Sequence, residues 1–367
     1  MCLLHWIGGA SSHQPAELRD RASPAAADLV ERAFADVDSR RLVDYHTHVV
    51  GLGAGGTGNL VNPAMRTWAH PLKHLKFLVY ASGSGITDLG DADRQFVRRL
   101  ADQVRHIEGH GRYRLLAFDR HYRPDGTVNE EKTEFYTSNE YVFALAAEFP
   151  DLFIPTMSVH PYRRDAIAEL EKWAGRGGTV LKWLPNAMGI DPSDPRCDPF
   201  YQRLRELGVV LLSHAGEEKA VEAEEDQRLG NPLLLRRPLD HGVRVIAAHC
   251  AGLGTNPDLD HPDRPRVPNF DLFLRLVDDK KYDGLLFGDI SAMTQRNRLG
   301  APLSTILARE DLQARLVNGS DYPLPAINVV ISTRALARAG YISPAERAGL
   351  NELYDYNPLL FDFVLKR

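Results

Sequence analysis

Eight short apolar runs recur along this chain, and amphipathic stretches with helix signals separate them. The runs are RLVDYHTHV (41–49), YRLLAFDRH (113–121), LFIPTMSVH (152–160), TVLKWLP (179–185), VVLLSHAG (209–216), RVIAAHC (244–250), GLLFGDIS (284–291) and RLVNGSDY (315–322). They favour β-branched residues and are too short for helices, so they read as strands. Between them lie segments such as YRRDAIAELEKWAGR (162–176), closed by Gly177 and Gly178, and NFDLFLRLVDDKKY (269–282). Strict alternation of strand and helix builds a parallel sheet, and eight such units predict an α/β fold, a single-domain (β/α)8 TIM barrel. The main competitor, a doubly wound sheet, carries a glycine-rich phosphate loop that opens a helix behind its first strand. GLGAGGTG (51–58) follows the first run, yet no amphipathic helix starts directly after it.

Each run carries a polar residue toward its C-terminal end. These are His46 and His48, Asp119, His160, Lys182, His214, His249, Asp289 and Asp321. Residues two apart on a strand share a face, so His46 and His48 project together. In a barrel the C-terminal strand ends converge on one mouth, where this fold places its chemistry. Five of the fourteen histidines sit at such ends, and core histidines scattered at random would not gather on one rim. Converging imidazoles and carboxylates are N/O ligands for a divalent cation, with Zn²⁺ the first expectation and one or two ions allowed. Taken singly, each residue also has a bland reading. His249 could be a satisfied core histidine, Lys182 an ordinary buried ion-pair partner, and Glu217 part of a helix start.

Composition narrows the function class. The chain has 367 residues, 44% hydrophobic and 25% charged, and a net charge of −5, which gives no basic footprint for nucleic acid. No apolar run approaches the roughly 18 residues of a membrane span. Cys2, Cys197 and Cys250 are odd in number and far apart, and MCLLHWIGGASSH lacks the basic start of a signal peptide. A cytoplasmic protein with a small-molecule substrate is therefore expected; a homo-oligomer is left open. Residues 1–40 read as a loose tail to residue 23 and then a helix capped by Ser23, with the barrel over 41–367. Residues 51–112 are too long for one βα unit. They are expected to form an insertion whose first part, with Trp68, Phe77 and Tyr80, is a lid over the mouth.

In their order along the chain, DYHTH, LKWLP, LLSHAGEE, VIAAHC and NGSDYP resemble the amidohydrolase superfamily of metal-dependent hydrolases, in its amidohydrolase 2 branch. The likeness runs over about residues 40–365. It implies that His46, His48 and Asp321 hold the more buried metal. Lys182 matches a lysine that is carboxylated and bridges two metals in binuclear members, with His214 and His249 on the second ion. In mononuclear members His214 joins the first site, and His249 contacts substrate or the activated water. Asp321, with His249 beside it, takes the catalytic role of moving that water's proton. His160 and Glu217 are expected to touch substrate. The implied reaction is hydrolysis of an amide, lactone or ester of a small molecule. The alternative is non-oxidative decarboxylation of a small carboxylic acid, as in the related aminocarboxymuconate-semialdehyde decarboxylase. Those decarboxylases start their first strand near the N-terminus, lack the lysine, and follow the sixth-strand histidine with Gly-Gly. Here the first run begins at about residue 41, Lys182 is present, and the sequence reads HCAGLG.

Overall fold

A computed structural model describes residues 7–9, 13–221 and 223–367; Cys2 and the rest of the expected tail at 1–6 and 10–12 lie outside the described residues. All eight predicted runs contain a strand. These are β1 (Val43–His48), β2 (Arg112–Leu116), β3 (Phe153–Thr156), β4 (Val180–Trp183), β5 (Val210–Ser213), β6 (Val245–Ala247), β7 (Leu286–Asp289) and β8 (Leu316–Val317). Strands β1–β3 pair in sequence order in one sheet and β4–β8 in another, every pair parallel. Two seams join the sheets. Met157 bridges Leu181 between β3 and β4, and Tyr322, beyond β8, bridges Thr47 in β1. Backbone hydrogen bonds reinforce both seams, from Lys182 N–H to the Met157 carbonyl (2.8 Å) and from His48 N–H to the Tyr322 carbonyl (3.0 Å). The strands thus run in order around a ring.

Strand alternation explains what the ring holds. Leu181 and Trp183 face outward into the helical layer, where they pack with Trp173, Phe200 and Tyr201. Their neighbours Val180 and Lys182 face inward. Val180 joins Leu116, Leu212 and Ile246 in a small apolar floor, with Phe287 against it. One step further along the same inward faces, two residues on, stand Lys182, His214 and Asp289. Plain alternation on β1 would instead aim Thr47 inward, two residues after the floor residue Tyr45. The register of β1 against β2 shifts between Asp44 and Thr47. Such an irregularity re-aims side chains, and here it turns His46 and His48 toward the axis.

The N-terminal segment is more ordered than its composition suggests. Helical turns run over Pro15–Glu17 and Leu18–Arg21, and Leu18 is buried. Ser23 Oγ then accepts from Ala26 N–H (3.2 Å) to cap the helix Pro24–Phe34. The insertion also holds more structure than its aperiodic sequence indicates. Leu60–Val61 pairs antiparallel with Phe135–Tyr136, and a helix spans Pro71–Gly83. That helix buries Phe77 and Ala81 but leaves Leu72 and Leu75 exposed, which blurs the apolar stripe by which a helix is recognised. Among the described residues no helix is long and apolar enough to cross a membrane.

The glycine-rich run has a structural cause. It wraps the buried carboxylate of Asp93, at the start of the helix Ala92–Arg105. Asp93 accepts from the N–H groups of Leu52 (2.6 Å), Gly53 (3.3 Å) and Ala54 (3.3 Å), from Thr57 Oγ, and from Asn59 Nδ2 (3.2 Å). A Cβ on Gly51 would stand 2.1 Å from that carboxylate, and Gly53 lies at φ +81°, so side chains are excluded at both. Asp93→Ala leaves several of these buried donors unpaired and should cost about 2–4 kcal/mol in urea melts.

Candidate metal centre

A cavity of about 280 Å³ opens at the C-terminal ends of the strands, lined by His46, His48, Lys182, His214, His249 and Asp321. The first grouping is tight. Asp321 Oδ1 lies 3.5 Å from His46 Nε2 and 3.3 Å from His48 Nε2, and one ligand atom from each of the three falls within 4.8 Å of the others. Asp321 follows β8 at φ +61°, its N–H held by the His46 carbonyl at 2.7 Å. A non-glycine residue in the left-handed region carries backbone strain, and this hydrogen bond fixes it there.

Asp289, at the end of β7, organises the imidazoles from below. His46 Nδ1–H donates to its Oδ2 at 2.9 Å, while Oδ1 accepts from the backbone N–H groups of His249 and Ser291, both at 3.0 Å, and from the Ser291 hydroxyl. This commits Nδ1 of His46 and turns its Nε2 lone pair toward the cavity, where Lys182 Nζ meets it, the orientation that suits a metal-binding histidine. His249 behaves likewise. Its Nδ1 sits 2.7 Å from Ser291 Oγ, and its Nε2 points to Asp321 Oδ2 at 4.0 Å. β6 ends two residues before His249, and His249, Cys250 and Ala251 all take positive φ, so a left-handed turn rather than strand alternation aims this ring. Cys250 is buried, with Sγ donating to the Asp289 carbonyl at 3.2 Å.

His214 supplies a further free nitrogen. Its Nδ1 lies 3.5 Å from Glu218 Oε2, its Nε2 is buried without a partner among the described residues, and its ring meets that of His249 edge-on at 5.3 Å. An orphaned buried nitrogen facing a cluster of such atoms fits a cation. A second grouping, His46, His249 and Asp289, is equally close, but Nδ1–H of His46 is already donated to Asp289 and Nδ1 of His249 is held by Ser291. That grouping is a hydrogen-bonded support, and the Nε2 side is the one whose donors could hold a cation.

The charges are set for ligation. Burial alone would raise the Asp321 carboxyl, but the imidazoles of His249, His48 and His46 outweigh it and hold it well below the usual carboxylate range. Asp289 behaves in the same way, with His46 and His249 overcoming its burial. Burial pushes His214 down to about 4, so the ring is neutral at neutral pH and its lone pair is available. Burial also lowers Lys182 to about 8; its Nζ donates to His46 Nε2 at 3.1 Å.

Two residues expected at the substrate do not line the cavity. His160 lies four residues past the end of β3, fully buried, with Nε2–H donating to the Met188 carbonyl (2.8 Å) and Nδ1 accepting from Tyr162 N–H (3.1 Å). Burial lowers it to about 3. Because the unfolded ring takes its proton near pH 6.5, His160 contributes stability that is present above that pH and lost on acidification toward about 3. His160→Gln should flatten the decline of stability below pH 6.5 in urea melts. Glu217 is absent from the lining and pairs with Lys219 at 3.5 Å. Its neighbour Glu218 is the one that lines the cavity, anchored by the N–H groups of Ala220 and Val221 (3.1 Å). Its position four residues after His214 was the available signal. Asp289 was visible only as a strand end, and Arg298, also on the cavity wall, had no sequence signal.

The family model described as Amidohydrolase matches residues 43–328, well over half of the chain. The chain belongs to the amidohydrolase family. Its barrel resembles solved structures at low identity. An uncharacterized TIM-barrel protein from Bordetella bronchiseptica aligns over 84% of this chain and 94% of its own, with 14% identity and a TM-score of 0.50. The 4-oxalomesaconate hydratase LigJ from Rhodopseudomonas palustris aligns over 89% and 98%, with 16% identity and a TM-score of 0.43. The 5-carboxyvanillate decarboxylase LigW from Sphingomonas paucimobilis aligns over 89% and 96%, with 11% identity and a TM-score of 0.47. No curated protein matches the chain. This amidohydrolase is accordingly an enzyme of a metal-dependent family, and its His-His-Asp grouping is a fitting place for the cation.

Proposed function

We propose that this amidohydrolase is a metal-dependent hydrolase that cleaves an amide, lactone or ester of a small molecule with an activated water. The observation that carries the reading is the convergence of His46, His48 and Asp321 within 4.8 Å at the floor of a cavity also lined by Lys182, His214 and His249. His46, His48 and Asp321 would hold a divalent cation, Zn²⁺ first among the metals that such N/O donors accept, with His214 and His249 in reach of it or of a second ion. Such a cation would polarise the substrate carbonyl and bring the pKa of water toward neutrality. Asp321 accepts the proton of the attacking water and passes it to the leaving group, a task suited to a carboxylate kept ionised by its histidines. His249 lies on the Oδ2 side of Asp321 and steadies the developing oxyanion or the water.

Burial lowers the Lys182 amine to about 8, so roughly a tenth of it is neutral at pH 7, far more than of a free lysine, and the neutral amine is the form that reacts with CO₂. Lys182 is therefore suited to carry a carboxylate that bridges two ions. The insertion acts as a lid. Val61, Met65 and Phe77 give the cavity an apolar wall, and Tyr80 Oη–H donates to the Ala220 carbonyl at 3.1 Å, tying the helix Pro71–Gly83 to the loop after β5. Around it, residues 41–367 form one domain, with a homo-oligomer compatible and a cytoplasmic, small-molecule role the simplest setting.

Non-oxidative decarboxylation is the competing reading, and turnover in H₂¹⁸O separates the two. Hydrolysis places one solvent oxygen in the product carboxylate, detected by mass spectrometry. Release of CO₂ with a solvent proton at the former carboxyl carbon would overturn the hydrolase assignment.

A further inference from the structure

Arg298 is a buried cation on the wall of the cavity. It lies in the loop after β7, is 7% exposed, and lines the cavity. Its one side-chain hydrogen bond among the described residues runs from NH1 to Gln295 Oε1 at 2.9 Å, and its Nε is buried with no acceptor. It forms no ion pair among the described residues. A guanidinium stays charged in proteins and presents five donors in a flat fork, so most of this fork is unanswered. Burial of an unpaired charge is costly, and natural sites keep one where a ligand completes it.

The nearby acids are engaged elsewhere. Asp321 serves the histidine pair, Glu218 caps Ala220 and Val221, Asp289 holds His46, Ser291 and the His249 backbone, and Glu217 pairs with Lys219. Gln295 keeps the fork in place and is itself bridged to Ile331.

We propose that Arg298 binds a carboxylate on the substrate, so that the substrate class is a small, largely apolar carboxylic acid whose scissile group reaches the His46–His48–Asp321 cluster. The inference rests on the cavity being the substrate site. A flat, singly charged carboxylate matches the fork in a bidentate pair. A phosphate dianion is disfavoured, because its second charge would meet the negative potential of Asp321, Glu218, Asp289 and Glu217, the acids that act on Arg298. Leu52, Val61, Met65, Phe77, Phe96 and Val330 supply the apolar wall for the body of the molecule.

The test is calorimetric binding of 3-phenylpropanoate and of the neutral, non-hydrolysable 3-phenylpropan-1-ol to the metal-loaded protein, Arg298→Gln and Arg298→Lys. Wild type should prefer the carboxylate by about 30-fold, Arg298→Gln should lose that preference, and Arg298→Lys should keep part of it. Melting temperature is measured alongside: removing an uncompensated buried charge should leave it unchanged or raised. Equal affinity of wild type for the two probes, no binding of either, a preference that survives Arg298→Gln, or a marked fall in melting temperature for Arg298→Gln would each overturn the proposal. These readouts involve no turnover, so CO₂ release by an enzyme that passes them would remove the hydrolase reading and leave Arg298 as the carboxylate anchor.

Discussion

Asp321→Asn should lower kcat by about 10²–10⁴-fold while the cation stays bound, the range that general acid–base catalysis contributes. The substitution keeps the size of the side chain and one oxygen near His46 and His48, at positions now 3.5 and 3.3 Å from Oδ1. It removes the base. The imidazoles of His249, His48 and His46 hold the native carboxylate ionised far below neutral pH, so the wild-type acidic limb reports the coupled water and Asp321 rather than a free carboxyl. That limb should change shape in the variant. Metal content measured by atomic emission accompanies the rates, because only a variant that retains the cation isolates the proton transfer. Near-native kcat with metal retained would move the base to His249, whose Nε2 stands 4.0 Å from Asp321 Oδ2.

Removal of the cation should be at least as damaging. Dialysis against a chelator should reduce turnover by about 10³-fold or more, as Lewis-acid activation is worth several kcal/mol, and Zn²⁺, Mn²⁺ or Co²⁺ should restore it. The pH dependence of retention has a definite sign. Protons compete with the metal only where the imidazoles charge, and burial holds His214 at about 4 and lowers His48 as well. The protein should keep its metal through pH 6.5, where free histidine already titrates, and release it only nearer pH 4–5. Loss beginning at pH 6.5 would mean that the rings are not desolvated. Undiminished turnover after chelation would remove the cation from the mechanism.

The barrel was legible because strand pattern and barrel geometry depend on local sequence. Each of the eight runs holds a strand, and Lys182 and His214 lie on the inward faces that two-residue alternation assigns from Val180 and Leu212. The rest turns on departures from that rule. A register shift sets the aim of His46 and His48, and a left-handed turn after β6 sets that of His249. His160 fails as a mouth residue because β3 stops at Thr156 and the chain then turns, giving both ring nitrogens backbone partners. Glu218 rather than Glu217 lines the cavity because the strand has ended at Ser213 and, past His214, a turn sets the aim of the side chains. Arg298 reaches the cavity through a loop whose path is fixed by Gln295 pairing with Ile331, a contact between distant segments. The glycine-rich stretch wraps Asp93, which lies more than thirty residues downstream of it and leaves no local signature.

The central claim is a cation held on the Nε2 side of the histidine cluster. An anomalous-difference map from a crystal of the metal-loaded protein, collected on both sides of the metal's absorption edge, tests it most directly. A peak within about 2.0–2.2 Å of His46 Nε2, His48 Nε2 and an Asp321 oxygen is the predicted result, with a second peak and density beyond Lys182 Nζ if the site is binuclear. An empty map at that position, or a peak seated instead among His46 Nδ1, His249 Nδ1 and Asp289, would contradict it.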